Sequence, residues 1–189
     1  MLPPVAAVHD IVAAITPADD LEATHRRETL RWLERTDDVF RRIKPATPPR
    51  HLVSYVVPIT PEGDILLVDH VKAELWLPPG GHVDPDEHPA DTARREAREE
   101  LGVEVEVRPA FLTATVTGGI GAGHTDVSIW YLVPGDRGWS VPEHDEFRAA
   151  RWWTPPEIAA AGEVFDPHFR RFLRKLSSTT GKIQTQSET

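Results

Sequence analysis

The chain has 189 residues, enough for one domain with a sizeable core. With 40% hydrophobic and 27% charged residues it reads as globular, and a net charge of −9 argues against long nucleic acid while leaving room for a small phosphorylated substrate. Cysteine is absent, which excludes disulfides, thiolate metal centres, iron–sulfur clusters and cysteine nucleophiles. MLPPVAAVHD lacks a basic n-region, and no apolar run approaches the roughly 18 residues of a membrane span, so no membrane partner and a cytoplasmic address are expected.

In chain order, residues 5–15 and 17–35 are predicted to be helical, with Leu21, Leu30 and Leu33 as buried positions. Residues 38–50 form a connector. HLVSYVVPI (51–59) is an apolar strand, Pro61-Glu62-Gly63-Asp64 a turn, and ILLVDH (65–70) its partner strand. Residues 78–88, dense in glycine and proline, read as a loop, and Pro89–Leu101 as a helix closed by Gly102. Val103, Val105 and Val107 alternate with polar residues as in a half-buried strand. Further strands are expected over 111–117, 125–134 and 147–153, with Val127, Ile129, Tyr131 and Val133 on one face. A helix from Pro167 to about Leu176 places Phe169, Phe172, Leu173 and Leu176 in one stripe. Thr16-Pro17, Thr154-Pro155 and Asp166-Pro167 each resemble a cap followed by proline at the first helical position; Glu157 makes Thr154 part of a capping box. The order of elements is mixed α/β and lacks the strict alternation of a doubly wound parallel sheet.

The charge is unevenly placed. Residues 51–103 hold 11 acids and 4 bases, whereas residues 1–50 hold 8 of each. Within the predicted helix, Glu96, Glu99 and Glu100 fall within an arc of roughly 100°, and Glu87 stands just ahead of it. Such a cluster of hard oxygen donors suits Mg²⁺ or Mn²⁺ better than zinc, and the loop Pro78-Pro79-Gly80-Gly81 lets backbone approach an ion. Arg95 can pair with Glu99 at i, i+4. The competing explanation is a solvated helix face laced with ion pairs; the like-charged Glu96–Glu100 pair works against it. On spacing alone the two readings stand level.

Gly81, Glu87, Arg95, Glu96, Glu99, Glu100 and Gly102 occupy every fixed position of G-x5-E-x7-R-E-U-x-E-E-x-G-U, with Ala97 and Val103 at the apolar U positions. The segment 81–103 therefore resembles the Nudix box. The resemblance implies a Nudix fold, a mixed β-sheet sandwiched between helices, over residues 51–177, with 1–50 as an N-terminal helical extension and 178–189 as a disordered tail. It implies a metal-dependent pyrophosphohydrolase that cleaves a nucleoside diphosphate linked to another moiety. By the same resemblance, Glu96, Glu99 and Glu100 are metal ligands, joined by the carbonyl of Gly80. Arg95 orients a box glutamate, and Glu96 doubles as candidate general base. A carboxylate outside the box often completes the set; of Glu143, Asp145 and Glu146, we select Glu146. The cofactor is Mg²⁺, with Mn²⁺ as substitute. The alternative is a non-catalytic ligand-sensing or interaction module, disfavoured because all box glutamates are present. A Nudix-fold isomerase would be expected to use a cysteine. Side motifs do not select a substrate: Gly118, Gly119 and Ile120 stand where a proline is associated with ADP-ribose hydrolysis, and the tyrosine associated with dinucleoside polyphosphates is absent.

Elsewhere the expectations are structural. The histidines, His82, His88, His124 and His144 among them, show no HxxxH pair on a helix, so no zinc site is expected. Trp76, Trp130, Trp152 and Trp153 are read first as core, second as stacking surfaces for a base. Arg170, Arg171, Arg174 and Lys175 fall opposite the last apolar stripe and are assigned to helix-end electrostatics. The N-terminal helices carry no chemical motif; a homodimer arm, a lid over the substrate pocket and a core extension are the three readings.

Overall fold

The computed structural model describes residues 2–44, 46–116, 123–162 and 164–186, with side chains described as far as residue 178 in the last helix. Gly118, Gly119 and Ile120 lie outside the described residues. Twelve elements follow one another among the described residues: α1 (Pro3–Ala14), α2 (Asp20–Leu33), β1 (Arg50–Ile59), β2 (Ile65–His70), β3 (Leu75–Leu77), β4 (Gly80–His82), α3 (Pro89–Leu101), β5 (Arg108–Val116), β6 (Thr125–Pro134), β7 (Phe147–Trp153), α4 (Pro155–Ala160) and α5 (Phe169–Gln186).

The strands make one seven-stranded mixed sheet in the order β3-β2-β1-β6-β5, with β4 added to β1 and β7 to β2. Its centre is the parallel pair β1–β6, in register from Arg50↔Thr125 to Ile59↔Pro134. Both strands are almost continuously apolar because both faces are covered. One face packs Leu52, Val56, Val127, Ile129, Tyr131 and Val133 against α1 and α3. The other packs Val57, Trp130, Leu132 and Trp153 against Phe169 and Phe172 of α5. Helices thus sandwich the sheet, and Trp130 and Trp153 belong to its core.

The N-terminal helices share that core. Val5, Val8, Val12 and Ile15 are buried in the same cluster as Leu52 and Ala97. The expected burial of Leu21 is wrong: it is 44% exposed, while Glu22, His25 and Thr29 face inward. The reason is the nature of the surface α2 meets. It covers β5, a sheet edge whose N–H groups need acceptors. Glu22 Oε1 accepts from Leu112 N at 3.2 Å, and His25 Nδ1 from Ala114 N at 3.3 Å. Lys175 Nζ, 2.6 Å from Glu22 Oε1, compensates the buried charge, and Arg171 pairs with Asp19.

Several boundaries differ from expectation. Asp19, not Thr16, caps α2 by accepting from Glu22 N. Asp166 Oδ1 accepts from His168 N, which places Pro167 in the turn before α5. The Thr154–Glu157 capping box forms as read. The 78–88 loop contains β4, which pairs Gly80 with Tyr55 and His82 with Val53. Residues 103–107 keep their alternating burial but form no strand, because no neighbouring strand supplies a ladder. The last helix, expected to end near Leu176, is α5 and runs to Gln186. No proline interrupts it; Ser177 Oγ and Ser178 Oγ donate to the Leu173 and Lys175 carbonyls along it.

Candidate active site

The box helix α3 presents two faces. Ala93, Ala97 and Leu101 enter the core, which is why the small Ala97 suits its position. Glu96 and Glu100, one turn apart, are buried at 8% and 4% exposure beside the β4 backbone, whereas the Glu99 side chain is 55% exposed at the rim. The three carboxylates therefore share a helix arc but not an environment.

Two glycines make the approach possible. Gly80 adopts φ +147°, and a Cβ there would collide with the Ser54 carbonyl of β1. A Cβ on Gly81 would overlap the Glu96 carboxylate. With both side chains absent, the β4 backbone lies against the box carboxylates, and Gly80 N donates to Glu100 Oε2 at 2.9 Å.

Arg95 holds the acidic set together. Its guanidinium takes Glu87 in a two-pronged pairing at 3.1 Å on each side, and its Nη1 donates to Glu96 at 2.8 Å and Glu99 at 3.2 Å. Thr92 Oγ1 donates to Glu87 from the other side at 2.7 Å. Burial opposes ionisation of Glu87, but Arg95 and Thr92 outweigh it and hold its carboxyl below the ordinary range. Glu96 and Glu100 behave oppositely. Burial lifts Glu96 to about 7 despite Arg95, and burial together with the Glu96 charge lifts Glu100 to about 8. Arg95 reaches Glu96 but makes no hydrogen bond to Glu100.

The structure brings Glu146, on the turn before β7, to this cluster. Glu100, His144 and Glu146 each offer a donor atom within 4.8 Å of the others. Glu143 and Asp145 instead line an adjacent groove of about 710 Å³, with Trp139, Trp152 and Arg148. No local spacing marks His144, since it meets Glu100 only through the tertiary placement of the 143–147 segment.

The donor set fits a divalent hard cation. Buried carboxylates crowd together with one arginine among them, and the ionised pair Glu96–Glu100 is disfavoured until more positive charge stands beside it.

A mixed sheet between helices, with an acidic helix facing a glycine strand, defines the Nudix class of architecture. The chain belongs to that family: the NUDIX domain matches residues 49–176. Among curated proteins, it is 62% identical over 29 residues to mouse bis(5'-nucleosyl)-tetraphosphatase [asymmetrical], covering 15% of this chain and 20% of that protein. The rat protein of the same name is 46% identical over 55 residues, or 29% of this chain and 37% of the relative, so the likeness spans well under half of either relative. A Caenorhabditis elegans Ap4A hydrolase in a binary complex superposes with a TM-score of 0.57 at 20% identity, over 69% of this chain and 98% of that one, which establishes the shared fold.

Proposed function

We propose that this protein is a pyrophosphohydrolase that cleaves a phosphoric anhydride bond in a nucleotide or nucleotide derivative with Mg²⁺, or Mn²⁺ in its place. The carrying observation is the buried Glu96–Glu100 pair, flanked by Glu146 and Glu99, with Arg95 tying Glu96 to Glu99, beside a groove that His144 lines. Glu96, Glu99, Glu100 and Glu146, with the Gly80 carbonyl, are the residues that would hold the metal. Bound there, divalent ions neutralise pyrophosphate oxygens and make bound water acidic. The protein's own part is positional. Arg95 fixes Glu96 and Glu99, and Glu87 fixes Arg95, so the carboxylates need no reorganisation when substrate arrives. Glu96, buried and adjacent to the β4 backbone, is the group assigned to take up the proton of the attacking water. Trp139 and Trp152, with ring centroids 6.0 Å apart, give the groove an aromatic wall for a base.

The acidic cluster repels a polyphosphate without cations, so activity should vanish in chelator. A panel of nucleoside triphosphates, sugar nucleotides and dinucleoside polyphosphates tests the reading. The tetraphosphates enter because of the likeness to the mouse and rat enzymes. Products are identified by mass spectrometry with Mg²⁺, Mn²⁺ or EDTA. Glu99→Gln and Glu100→Gln should each lower turnover by at least about a hundredfold. Full activity in both variants, or in EDTA, overturns it.

A further inference from the structure

A second cluster lies at the opposite end of β1 from the β1–β2 turn. His51 opens β1, His82 ends β4, and His124 and Asp126 flank the start of β6. The parallel register sets His51 directly beside Asp126, and one donor atom from each of the four residues lies within 4.8 Å of all the others. We propose that His51, His82, His124 and Asp126 form a tetrahedral Zn²⁺ site, separate from the carboxylate site and structural in role.

Three observations support it. First, the spacing is right. A tetrahedral ion with ligands at about 2.0–2.1 Å separates its donors by about 3.3–3.4 Å. The Nε2 atoms of His51, His124 and His82 stand 3.0, 3.4 and 3.7 Å from Asp126 Oδ1, bracketing that value. Second, the hydrogen bonding is incomplete without an ion. His51 is fully buried, and despite the short distance its Nε2 is not aligned as a hydrogen bond to Asp126; His82 Nε2 and Asp126 Oδ1 likewise make none. Leaving buried polar atoms without partners is unfavourable, because they have given up water and gained nothing in its place. Third, one ring nitrogen is already committed. His51 Nδ1 is 2.7 Å from the Pro48 carbonyl, which can only accept, so Nδ1 carries a proton, and in the neutral ring Nε2 is the atom that offers its lone pair to the cluster. That lone pair would otherwise face a carboxylate oxygen. Three imidazoles and one carboxylate favour zinc over Mg²⁺, which takes oxygen donors.

Arg41, half-buried, is another positive group facing Asp126 and His82, and would share the cluster with the ion. The site ties the β1 entrance to β4 and β6. Because His82 follows Gly80 and Gly81, and its carbonyl accepts from Arg95 at 3.4 Å, zinc would anchor the strand that backs the box helix.

The full chain, dialysed with Zn²⁺ and then against excess Mg²⁺, should retain one zinc per chain by elemental analysis. Co²⁺ in its place should give the intense visible absorption of a tetrahedral centre. Zn²⁺, but not Mg²⁺, should raise the melting temperature of the Glu99→Gln/Glu100→Gln double variant, whose carboxylate site is disabled. Asp126→Asn and His124→Gln should each weaken zinc binding by at least about a hundredfold. Absence of stoichiometric zinc, a weak six-coordinate Co²⁺ spectrum, zinc loss in the Glu99/Glu100 variant, or undiminished binding in Asp126→Asn each overturns the proposal. The cobalt spectrum decides even where a variant fails to fold.

Discussion

Replacing Glu100 by Gln should stabilise the metal-free protein while abolishing turnover. Glu100 is 4% exposed and its carboxyl is lifted from 4.5 to about 8, first by burial and then by Glu96. The unfolded chain releases this proton near 4.5 whereas the folded chain keeps it to about 8, so the folded state binds more protons throughout that window. Stability therefore falls as pH rises from 4.5 to 8. At about 1.4 kcal/mol per pH unit, the cost approaches about 4–5 kcal/mol above pH 8. Gln keeps the side chain's shape, and its Oε1 can still accept from Gly80 N, but it carries no charge. After allowing for the amide's own burial, the variant should melt roughly 5–10 °C above the unsubstituted protein in EDTA at pH 8.5. The gap should close at pH 5, where Glu100 is protonated, and reverse in saturating Mg²⁺. Calorimetry across that pH range measures it. A gap that does not change with pH, or a variant that melts lower at pH 8.5, would refute the assignment of Glu100 as a buried, strained carboxylate.

Arg95→Lys should cost about a hundredfold in kcat/KM, because a single ammonium cannot hold Glu87, Glu96 and Glu99 at once; near-normal kinetics would show that the fork is dispensable. Gly80→Ala should destabilise the fold by on the order of 3 kcal/mol in urea titration, since both φ and the Ser54 carbonyl oppose a Cβ. Glu22→Ala should lower stability by about 3–5 kcal/mol and promote aggregation visible by light scattering, because the buried ion pair with Lys175 is broken and the β5 edge loses an acceptor. A surface-like loss below about 0.5 kcal/mol would contradict the role given to Glu22.

The net charge of −9 is not spread evenly. Part of it is gathered in one loop and helix, where local spacing puts Glu96, Glu99 and Glu100 on one arc. That much, with the box helix, its Gly102 end, the central strands and the Thr154 capping box, follows from short-range rules: helical periodicity, capping and alternation act over a few residues and are written in order along the chain. Tertiary structure decided the rest, because it depends on what each segment meets. Leu21 is exposed and Glu22 buried because α2 covers a strand edge rather than an apolar face. Residues 103–107 alternate like a strand but find no ladder. Glu146 and His144 reach Glu100, and His51 reaches His82, His124 and Asp126, only through sheet register and loop docking. No periodicity encodes such meetings, since the residues are brought together by pairing between strands distant in sequence.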